Sequence, residues 1–285
     1  MGHPCGTTLI ERIQFDRVGR GPASELGEEV YKNLSVSVAM PAYNEAEGIV
    51  AAVRGYLELA EVDEVVVADN NSTDGTAALA ESAGARVVRE ERQGYGHACR
   101  SALRAASCDL IVLVEPDSTF RPIDIYKFFA YAEEFDVVFG TRTSKTCIWE
   151  GSNMGPFLRY GNWAVAKMLE YLHNGPCLTD VGCTYKLLRR DALRQIEPLF
   201  TVGGSHFSPE LMMLAIRTRL TCVEIPVNYL PRTGDSKITG SFKKAFRLGL
   251  RMIAMIVRYR FKSFPKAIST VPDSAVCTGA RTVGE

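Results

Sequence analysis

The chain has 285 residues, of which 46% are hydrophobic and 23% are charged, and its formal net charge is zero. This balance is typical of a globular protein with a hydrophobic core, and it gives no support to a nucleic-acid partner. The eight cysteines include no C-x-x-C pair, which argues against a disulfide framework or a zinc site and favours reduced thiols in the cytoplasm. No stretch reaches the roughly 18 consecutive apolar residues of a membrane span.

Strands and helices alternate from Ser35 onwards, after a glycine-containing arm that we assign to residues 1–34. The predicted strands are Val36–Met40, Glu64–Asp69, Ala85–Arg89, Leu110–Val114 and Asp136–Gly140. The helices predicted between them are Ala46–Ala60, Thr73–Ala83, Tyr95–Ala106 and Pro122–Glu134. This alternation favours βαβ units, and therefore an α/β fold with a mixed, mostly parallel sheet that is flanked by helices.

The pattern becomes less regular after Gly140. The polar segment Thr141–Gly161 indicates an active-site loop, and it precedes a predicted helix, Asn162–His173. A further strand is predicted at Thr221–Tyr229, followed by the polar loop Arg232–Gly240. We expect the main domain to cover residues 35–240, followed by a basic amphipathic helix at 241–264 and a disordered tail at 265–285.

Three of the predicted strands end in clusters of polar residues. The first is followed by the segment Pro41–Glu45, the second ends at Asp69 and is followed by Asn70 and Asn71, and the fourth is followed by Glu115 and Asp117. Because ligands of open α/β sheets bind outside the carboxyl ends of the strands, these side chains are candidates for one site. A nucleotide sugar calls for such groups: carboxylates or amides for the base and ribose, and a cation for the diphosphate.

Glu115 and Asp117 lie one residue apart at the mouth of an apolar strand. Two carboxylates in this arrangement can hold Mg²⁺ or Mn²⁺, with phosphate oxygens and water completing the coordination. Such a metal acts as a Lewis acid on a leaving diphosphate. The alternative is an ordinary surface turn, since an acid-Pro-Asp sequence is common at strand ends. The two earlier polar clusters favour the metal site.

Several segments together resemble the motifs of family 2 glycosyltransferases with the GT-A fold. Four of them follow one another in the first half of the chain: Pro41–Glu45, Asp69–Thr76, Gly94–Ala98 and Glu115–Asp117. Three later ones are similar to motifs of the dolichol-phosphate mannosyltransferase group and its bacterial polyprenyl-phosphate relatives: Gly140–Arg142, Asp180–Arg190, and Glu224–Val227 with Arg232–Lys237. The resemblance implies a Rossmann-like GT-A domain and an inverting hexosyltransferase that moves a sugar from a GDP- or UDP-sugar to a polyprenyl phosphate.

The resemblance also implies roles for individual residues. Those implied to bind the nucleotide are Pro41, Tyr43, Glu45, Asp69, Asn71 and Glu115. The implied metal ligands are Glu115 and Asp117, and the implied phosphate-binding residues are Arg142, Arg232, Ser236 and Lys237. Catalysis would then rest on Asp117, Asp180 and Arg142.

The chain departs from the group at the metal site. The group has Asp-x-Asp, often with Gln two residues later as a further ligand, where this chain has Glu115 and Thr119. Glutamate is one methylene longer and still reaches a metal, whereas threonine is a poorer ligand, so the identity of the metal stays open. These departures leave a non-catalytic nucleotide-binding relative as one alternative. The segment after Arg142, which contains Trp149 and several polar residues, also differs, and we expect this loop to face the acceptor or the sugar.

The predicted helix Phe242–Lys262 is basic and amphipathic. Its basic residues Lys243, Arg247, Arg251, Arg258 and Lys262 fall within about 100° on a helical wheel, and apolar residues fill much of the remainder. This pattern is typical of a helix that lies on a membrane, so we expect a peripheral contact at the cytoplasmic face and a lipid-phosphate acceptor. The alternatives are a core-packed helix with a solvated basic stripe and a transferase for a small soluble acceptor.

Overall fold

The computed structural model describes residues 34–152, 154–232 and 242–268, with only the backbone for 242–245. Seven strands lie within these residues: β1 Val36–Ala42, β2 Glu64–Asp69, β3 Arg86–Arg89, β4 Leu110–Leu113, β5 Val137–Thr141, β6 Lys186–Arg189 and β7 Cys222–Pro226. The same residues form eight α-helices: α1 Ile49–Leu57, α2 Thr76–Ser82, α3 Tyr95–Ala105, α4 Ile125–Ala132, α5 Pro156–His173, α6 Arg190–Ile196, α7 Phe207–Arg217 and α8 Phe242–Arg260.

The strands form one mixed sheet in the order β3-β2-β1-β4-β6-β5-β7. Parallel pairs join β1 to β2 and β4, β2 to β3, and β5 to β7, whereas β6 runs antiparallel to both of its neighbours. The carboxyl ends of β1, β2 and β4 therefore meet the amino end of β6 at one edge of the sheet. The predicted mixed, mostly parallel sheet is confirmed, and this edge carries the candidate site.

The sheet separates two hydrophobic cores. On one face, Val38 and Val112 belong to a core that includes residues of α1 and α4. On the other face, Ile111, Leu113 and Phe139 belong to a core built with α3 and with α5 to α8. The central strands β1 and β4 are buried over their full length, as expected for strands covered on both faces.

The predicted elements occur within a few residues of their expected positions, with two kinds of error. The predicted loop Thr141–Gly161 is wrong in its last third, because α5 begins at Pro156, a residue favoured in the first helical turn. The predicted strand Thr221–Tyr229 is wrong in its extent, because only Cys222–Pro226 pairs in the sheet. Two elements, β6 and α6, were not predicted.

The structure describes only small parts of the predicted arm and tail. Residues 1–33 and 269–285 lie outside the described residues. At the start of the predicted tail, the amide of Ala267 donates to the carbonyl of Thr218 at 2.7 Å, and that of Ile268 donates to Gln195 at 2.6 Å. None of the described helices combines the length and the hydrophobicity that crossing a bilayer requires.

Candidate active site

A cavity of about 600 Å³ opens at the carboxyl edge of the sheet. Residues at or beyond the ends of the strands, most of them charged or polar, line one side: Pro41, Tyr43, Glu45, Asn70, Glu115, Asp117, Arg142 and Arg232. Apolar residues of α5 and α8 line the other side, among them Phe157, Leu158, Val165, Phe246, Leu250 and Ile253. The cavity therefore joins a charged cleft at the sheet to an apolar groove between two helices.

Glu115 and Asp117 follow β4 and face this cavity. Thr184 donates its hydroxyl to Oε1 of Glu115 at 2.9 Å. Thr119 donates its hydroxyl to Oδ1 of Asp117 at 2.6 Å and its amide to the same oxygen at 3.1 Å. Burial and the nearby charge of Asp117 raise the pKa of Glu115. Two carboxylates in such surroundings favour a cation beside them.

The two carboxylates suit a divalent metal. Oxygen ligands are those that Mg²⁺ and Mn²⁺ prefer, and Mg²⁺ is commonly bound by one or two carboxylates together with substrate phosphates. In residues 34–152, 154–232 and 242–268 there is no group of three or more His, Cys, Asp or Glu side chains that could hold a metal. Substrate phosphates and water could complete the coordination of a metal held by Glu115 and Asp117.

Arg232 connects two of the predicted site residues. Its Nη1 donates to Oδ2 of Asp117 at 2.9 Å, and its Nη2 donates to Oε1 of Glu45 at 2.6 Å. Burial works against the charge of Arg232, but Asp117 and Glu45 outweigh burial and raise its pKa. Its buried Nε has no hydrogen-bond partner within the described part of the chain. Arg232 is therefore a charged group with an N–H to spare for an anion.

Arg142 is held by a fully buried aspartate. Its Nε and Nη2 donate to the two carboxylate oxygens of Asp180 at 2.8 and 3.0 Å. Its guanidinium carbon also lies over the ring of Tyr229, 5.2 Å from the ring centroid. Asp180 lies behind Arg142 rather than on the cavity wall. Glu224 in turn accepts the amide of Asp180 at 3.1 Å. In this geometry Asp180 fixes the orientation of Arg142, and Arg142 is the residue of the pair that lines the cavity.

The residues after β2 shape the loop that follows β3. Asn70 donates to the carbonyl oxygens of Glu90 and Arg92 at 2.8 and 2.9 Å. Asn71 donates to another carbonyl of this loop, and Asp69 accepts a backbone amide three residues further along. Neither Asp69 nor Asn71 lines the cavity, whereas Asn70 does. Nucleotide contacts of Asp69 and Asn71 stay predictions.

The remaining predictions concern Ser236, Lys237 and the loop that follows Arg142. Ser236 and Lys237 lie outside the described residues. The loop after Arg142 was expected to face the acceptor or the sugar; Met154 of this loop lines the cavity, whereas Trp149 does not. Instead its Nε1 donates to Asn228 at 3.2 Å, and the guanidinium carbon of Arg121 lies 5.9 Å from its ring centroid. Trp149 thus contacts the segment that precedes Arg232 rather than the cavity itself.

Sequence reasoning missed Thr184 and Tyr95. The hydroxyl oxygens of Tyr95 and Thr184 are 2.7 Å apart. Because Thr184 uses its hydrogen for Glu115, Tyr95 donates to Thr184, and burial raises the pKa of Tyr95 well above its usual range, which keeps it a donor. A signal was present, since Thr184 stands where the resembled motif D-x-x-S-G-F-K has glycine.

Helix α8 presents three kinds of surface. One face is buried against α5 and α7 through Met252, Met255, Ile256 and Tyr259. An exposed apolar stripe recurs at helical spacing and consists of Phe246, Leu250, Ile253 and Val257. Exposed arginines flank this stripe at Arg247, Arg251 and Arg258. The helix thus packs on the core, as one alternative held, and also keeps an exposed apolar surface beside basic residues.

Helix α5 adds exposed aromatic residues next to α8. Phe157, Tyr160, Trp163 and Tyr171 are all at least 47% exposed. Grouped exposed aromatic side chains are a common feature of surfaces that bind another molecule or a membrane. Phe157 lines the cavity as well, together with Phe246, Leu250 and Ile253 of α8. The exposed apolar surface is therefore continuous with the apolar end of the cavity.

Fold and site together are those of a glycosyltransferase of the GT-A type. Residues 37–197 match the protein family Glycosyl transferase family 2, and the chain belongs to this family. It is 30% identical over 205 residues to a protein described as dolichyl-phosphate hexose transferase from Haloferax volcanii, covering 71% of this chain and 86% of that protein. It is 31% identical over 215 residues to an uncharacterized glycosyltransferase of Mycobacterium tuberculosis, covering 73% and 92%.

Solved structures agree on the fold. The chain resembles glucosyl-3-phosphoglycerate synthase from Mycobacterium tuberculosis, whose structure was determined in complex with Mn²⁺, UDP and phosphoglyceric acid. The TM-score is 0.66 at 20% sequence identity, and the match covers 91% of this chain and 86% of that one. The predicted family and GT-A fold are confirmed.

Proposed function

We propose that the chain transfers a sugar from a nucleotide-diphosphate sugar to a polyprenyl phosphate at a membrane surface, with inversion. The observation that carries this proposal is the continuity of the cavity. Its charged end, with Asp117, Arg142 and Arg232, suits a diphosphate and an acceptor phosphate. Its apolar end shares Phe246 and Leu250 with the exposed surface of α8, where a lipid chain can enter.

The reaction needs little from the protein beyond positioning and charge. An acceptor phosphate is anionic at neutral pH, so it can attack directly without a strong general base, and direct attack inverts the sugar. The guanidinium groups of Arg142 and Arg232 would hold phosphate oxygens, because an arginine fork suits phosphate geometry. Held rigidly by Asp180, Arg142 loses little freedom on binding. A metal bound by Glu115 and Asp117 would supply Lewis-acid stabilisation of the leaving diphosphate.

The surface of α8 supports a membrane location. Each basic residue near an anionic membrane contributes roughly 1 kcal/mol, and three arginines flank the exposed apolar stripe. A helix with one apolar and one basic exposed sector is typical of helices that lie in the membrane interface. The similarity to a protein described as a dolichyl-phosphate hexose transferase supports a lipid-phosphate acceptor.

A transferase for a small soluble phosphate is the second candidate. The charged end of the cavity can hold an acceptor phosphate without any use of the apolar groove. This alternative leaves the exposed stripe of α8 and the aromatic residues of α5 without a role, so we favour the lipid acceptor.

A transfer assay with labelled sugar distinguishes the two candidates. GDP- and UDP-sugars are offered with Mg²⁺ or Mn²⁺ and either polyprenyl phosphate in vesicles or 3-phosphoglycerate in solution. We expect label in the organic extract, and none with Asp117→Asn. Label only in the aqueous product would favour the soluble acceptor, and hydrolysis without transfer to either acceptor would refute the proposal.

A further inference from the structure

We infer that Thr119 and Thr184 are positioning residues for the metal-binding carboxylates: each threonine holds one carboxylate oxygen by its hydroxyl and leaves the other oxygen for the metal. This inference rests on the proposed metal-assisted function and concerns how this chain builds that site. Neither threonine touches the reacting groups in this scheme. Their effect passes through Asp117 and Glu115.

The bond from Thr184 to Glu115 follows from the sheet. In the antiparallel pairing of β4 with β6, Leu113 lies opposite Lys186. Two residues beyond this pair on each strand, the same register places Glu115 opposite Thr184, and their side chains are joined at 2.9 Å. Tyr95 supports the bond from behind by donating to the hydroxyl of Thr184 at 2.7 Å. The orientation of Glu115 is thus fixed by three elements of the fold.

The bond from Thr119 to Asp117 is local and buried. Both residues are 2% exposed, and Oδ1 of Asp117 accepts the amide and the hydroxyl of Thr119. The carbonyl of Thr119 also accepts the amide of Leu230 at 2.8 Å, which ties this turn to the segment that leads to Arg232. With Oδ1 engaged twice, Oδ2 is the oxygen that Asp117 turns towards Arg232 at 2.9 Å.

The hydroxyl of a buried threonine often donates to a nearby backbone carbonyl, but those of Thr119 and Thr184 do not. Thr218 is 1% exposed and donates its hydroxyl to the carbonyl of Leu214 in its own helix. Thr119 and Thr184 instead donate to carboxylates, and hydrogen bonds to charged groups are stronger and fix geometry. Groups that orient metal ligands typically change metal affinity by 10-fold to 100-fold when removed.

The test measures Mn²⁺ binding in the presence of GDP or UDP, with free Mn²⁺ followed by electron paramagnetic resonance. Thr119→Val and Thr184→Val keep the shape of the side chain and remove the hydroxyl, and we expect each to weaken Mn²⁺ binding by about 10-fold to 100-fold. Thr119→Ser and Thr184→Ser retain the hydroxyl and should bind Mn²⁺ within about threefold of the wild type. Thr218→Val is the matched control for loss of a buried hydroxyl.

Thermal unfolding of each variant separates positioning from folding. A loss of Mn²⁺ affinity at unchanged melting temperature, restored by serine, supports the inference. Valine variants that bind Mn²⁺ as the wild type does would overturn it and leave the proposed function standing. A loss of affinity that serine fails to restore, or that Thr218→Val reproduces, would also overturn it. Wild-type protein that binds no Mn²⁺ with either nucleotide would overturn the inference together with the metal-assisted function.

Discussion

The guanidinium of Arg142 donates to both carboxylate oxygens of Asp180, and the two side chains are only 14% and 0% exposed. Burial alone would raise the pKa of Asp180, but the charge and hydrogen bonds of Arg142 outweigh burial and lower that pKa. The two side chains therefore form an ion pair that is largely shielded from solvent. Removing either partner leaves the other charge uncompensated inside the protein.

Asp180→Ala should destabilise the protein by about 3–5 kcal/mol, because Arg142 would remain buried without its partner. Chemical denaturation at neutral pH measures this loss. The matched control is Asp191→Ala, since Asp191 pairs with Arg194 on the surface, where the two side chains are 61% and 71% exposed. The control should cost less than about 1 kcal/mol. A similar cost for both variants would contradict a special role of the buried pair.

The lowered pKa of Asp180 predicts a pH dependence of stability. The carboxylate contributes fully above its unfolded pKa of about 3.9, and its contribution is lost as the pH falls through the lower pKa of the folded state. The free-energy difference between wild type and Asp180→Asn should therefore be constant from neutral pH to about pH 5 and shrink only in stronger acid. A difference that already shrinks between pH 7 and pH 5 would contradict this.

Arg232→Gln should raise the KM for the nucleotide sugar by about 10-fold to 100-fold. Hydrogen bonds to charged groups contribute about 1.5–3 kcal/mol, and each 1.4 kcal/mol is a factor of ten. Without Arg232, the acids Glu45 and Asp117 would also repel a diphosphate. Steady-state kinetics measures the effect, and Arg121→Gln, an exposed arginine that does not line the cavity, is the control. An unchanged KM would show that Arg232 does not contact the donor.

Reversal of three α8 arginines to glutamate should release the protein from anionic vesicles. Even neutralising Arg247, Arg251 and Arg258 removes roughly 3 kcal/mol, which corresponds to more than a hundredfold in partitioning. Vesicle co-sedimentation at low and high salt measures the change, since the attraction acts within a Debye length of about 10 Å at 0.1 M. Wild-type protein that stays in solution with anionic vesicles at low salt would exclude a membrane contact of this kind.

A matched triple variant controls for net charge. Arg54, Arg121 and Arg194 are exposed and lie away from α8, so their reversal changes the total charge by the same amount. We expect this control to stay on the vesicles. A second variant, with Phe246, Leu250 and Val257 replaced by serine, should also leave the vesicles while keeping its positive charge, because the apolar stripe supplies the insertion.

The part of the site at β1 and β4 could be predicted because buried parallel strands show as apolar runs and their ends show as polar clusters. This reasoning located Glu45, Glu115 and Asp117. It could not find β6, because Lys186–Arg189 is short and two of its four residues are basic. The hydrogen bond from Thr184 to Glu115 depends on that non-local pairing, which no local pattern announces.

The terminal helix shows a different limit. Spacing predicted an amphipathic helix, and the exposed arginines agree with it. Spacing could not divide the apolar residues into those that pack on the core, such as Met255 and Ile256, and those that stay exposed, such as Leu250 and Val257. That division depends on where α5 and α7 lie, which is a property of the whole fold.

The reversed direction of β6 limits how the chain length can vary. Loops that follow parallel strands can lengthen without moving the strands. The contact of Thr184 with Glu115, by contrast, depends on the register of β6 against β4, because Thr184 lies two residues before Lys186, which pairs with Leu113. One inserted or deleted residue between Thr184 and Lys186 would turn the side chain at this position to the opposite face of the sheet. We therefore expect functional relatives that share this arrangement to keep the spacing from residue 184 to residue 186 unchanged, while insertions collect elsewhere, for instance after Thr141.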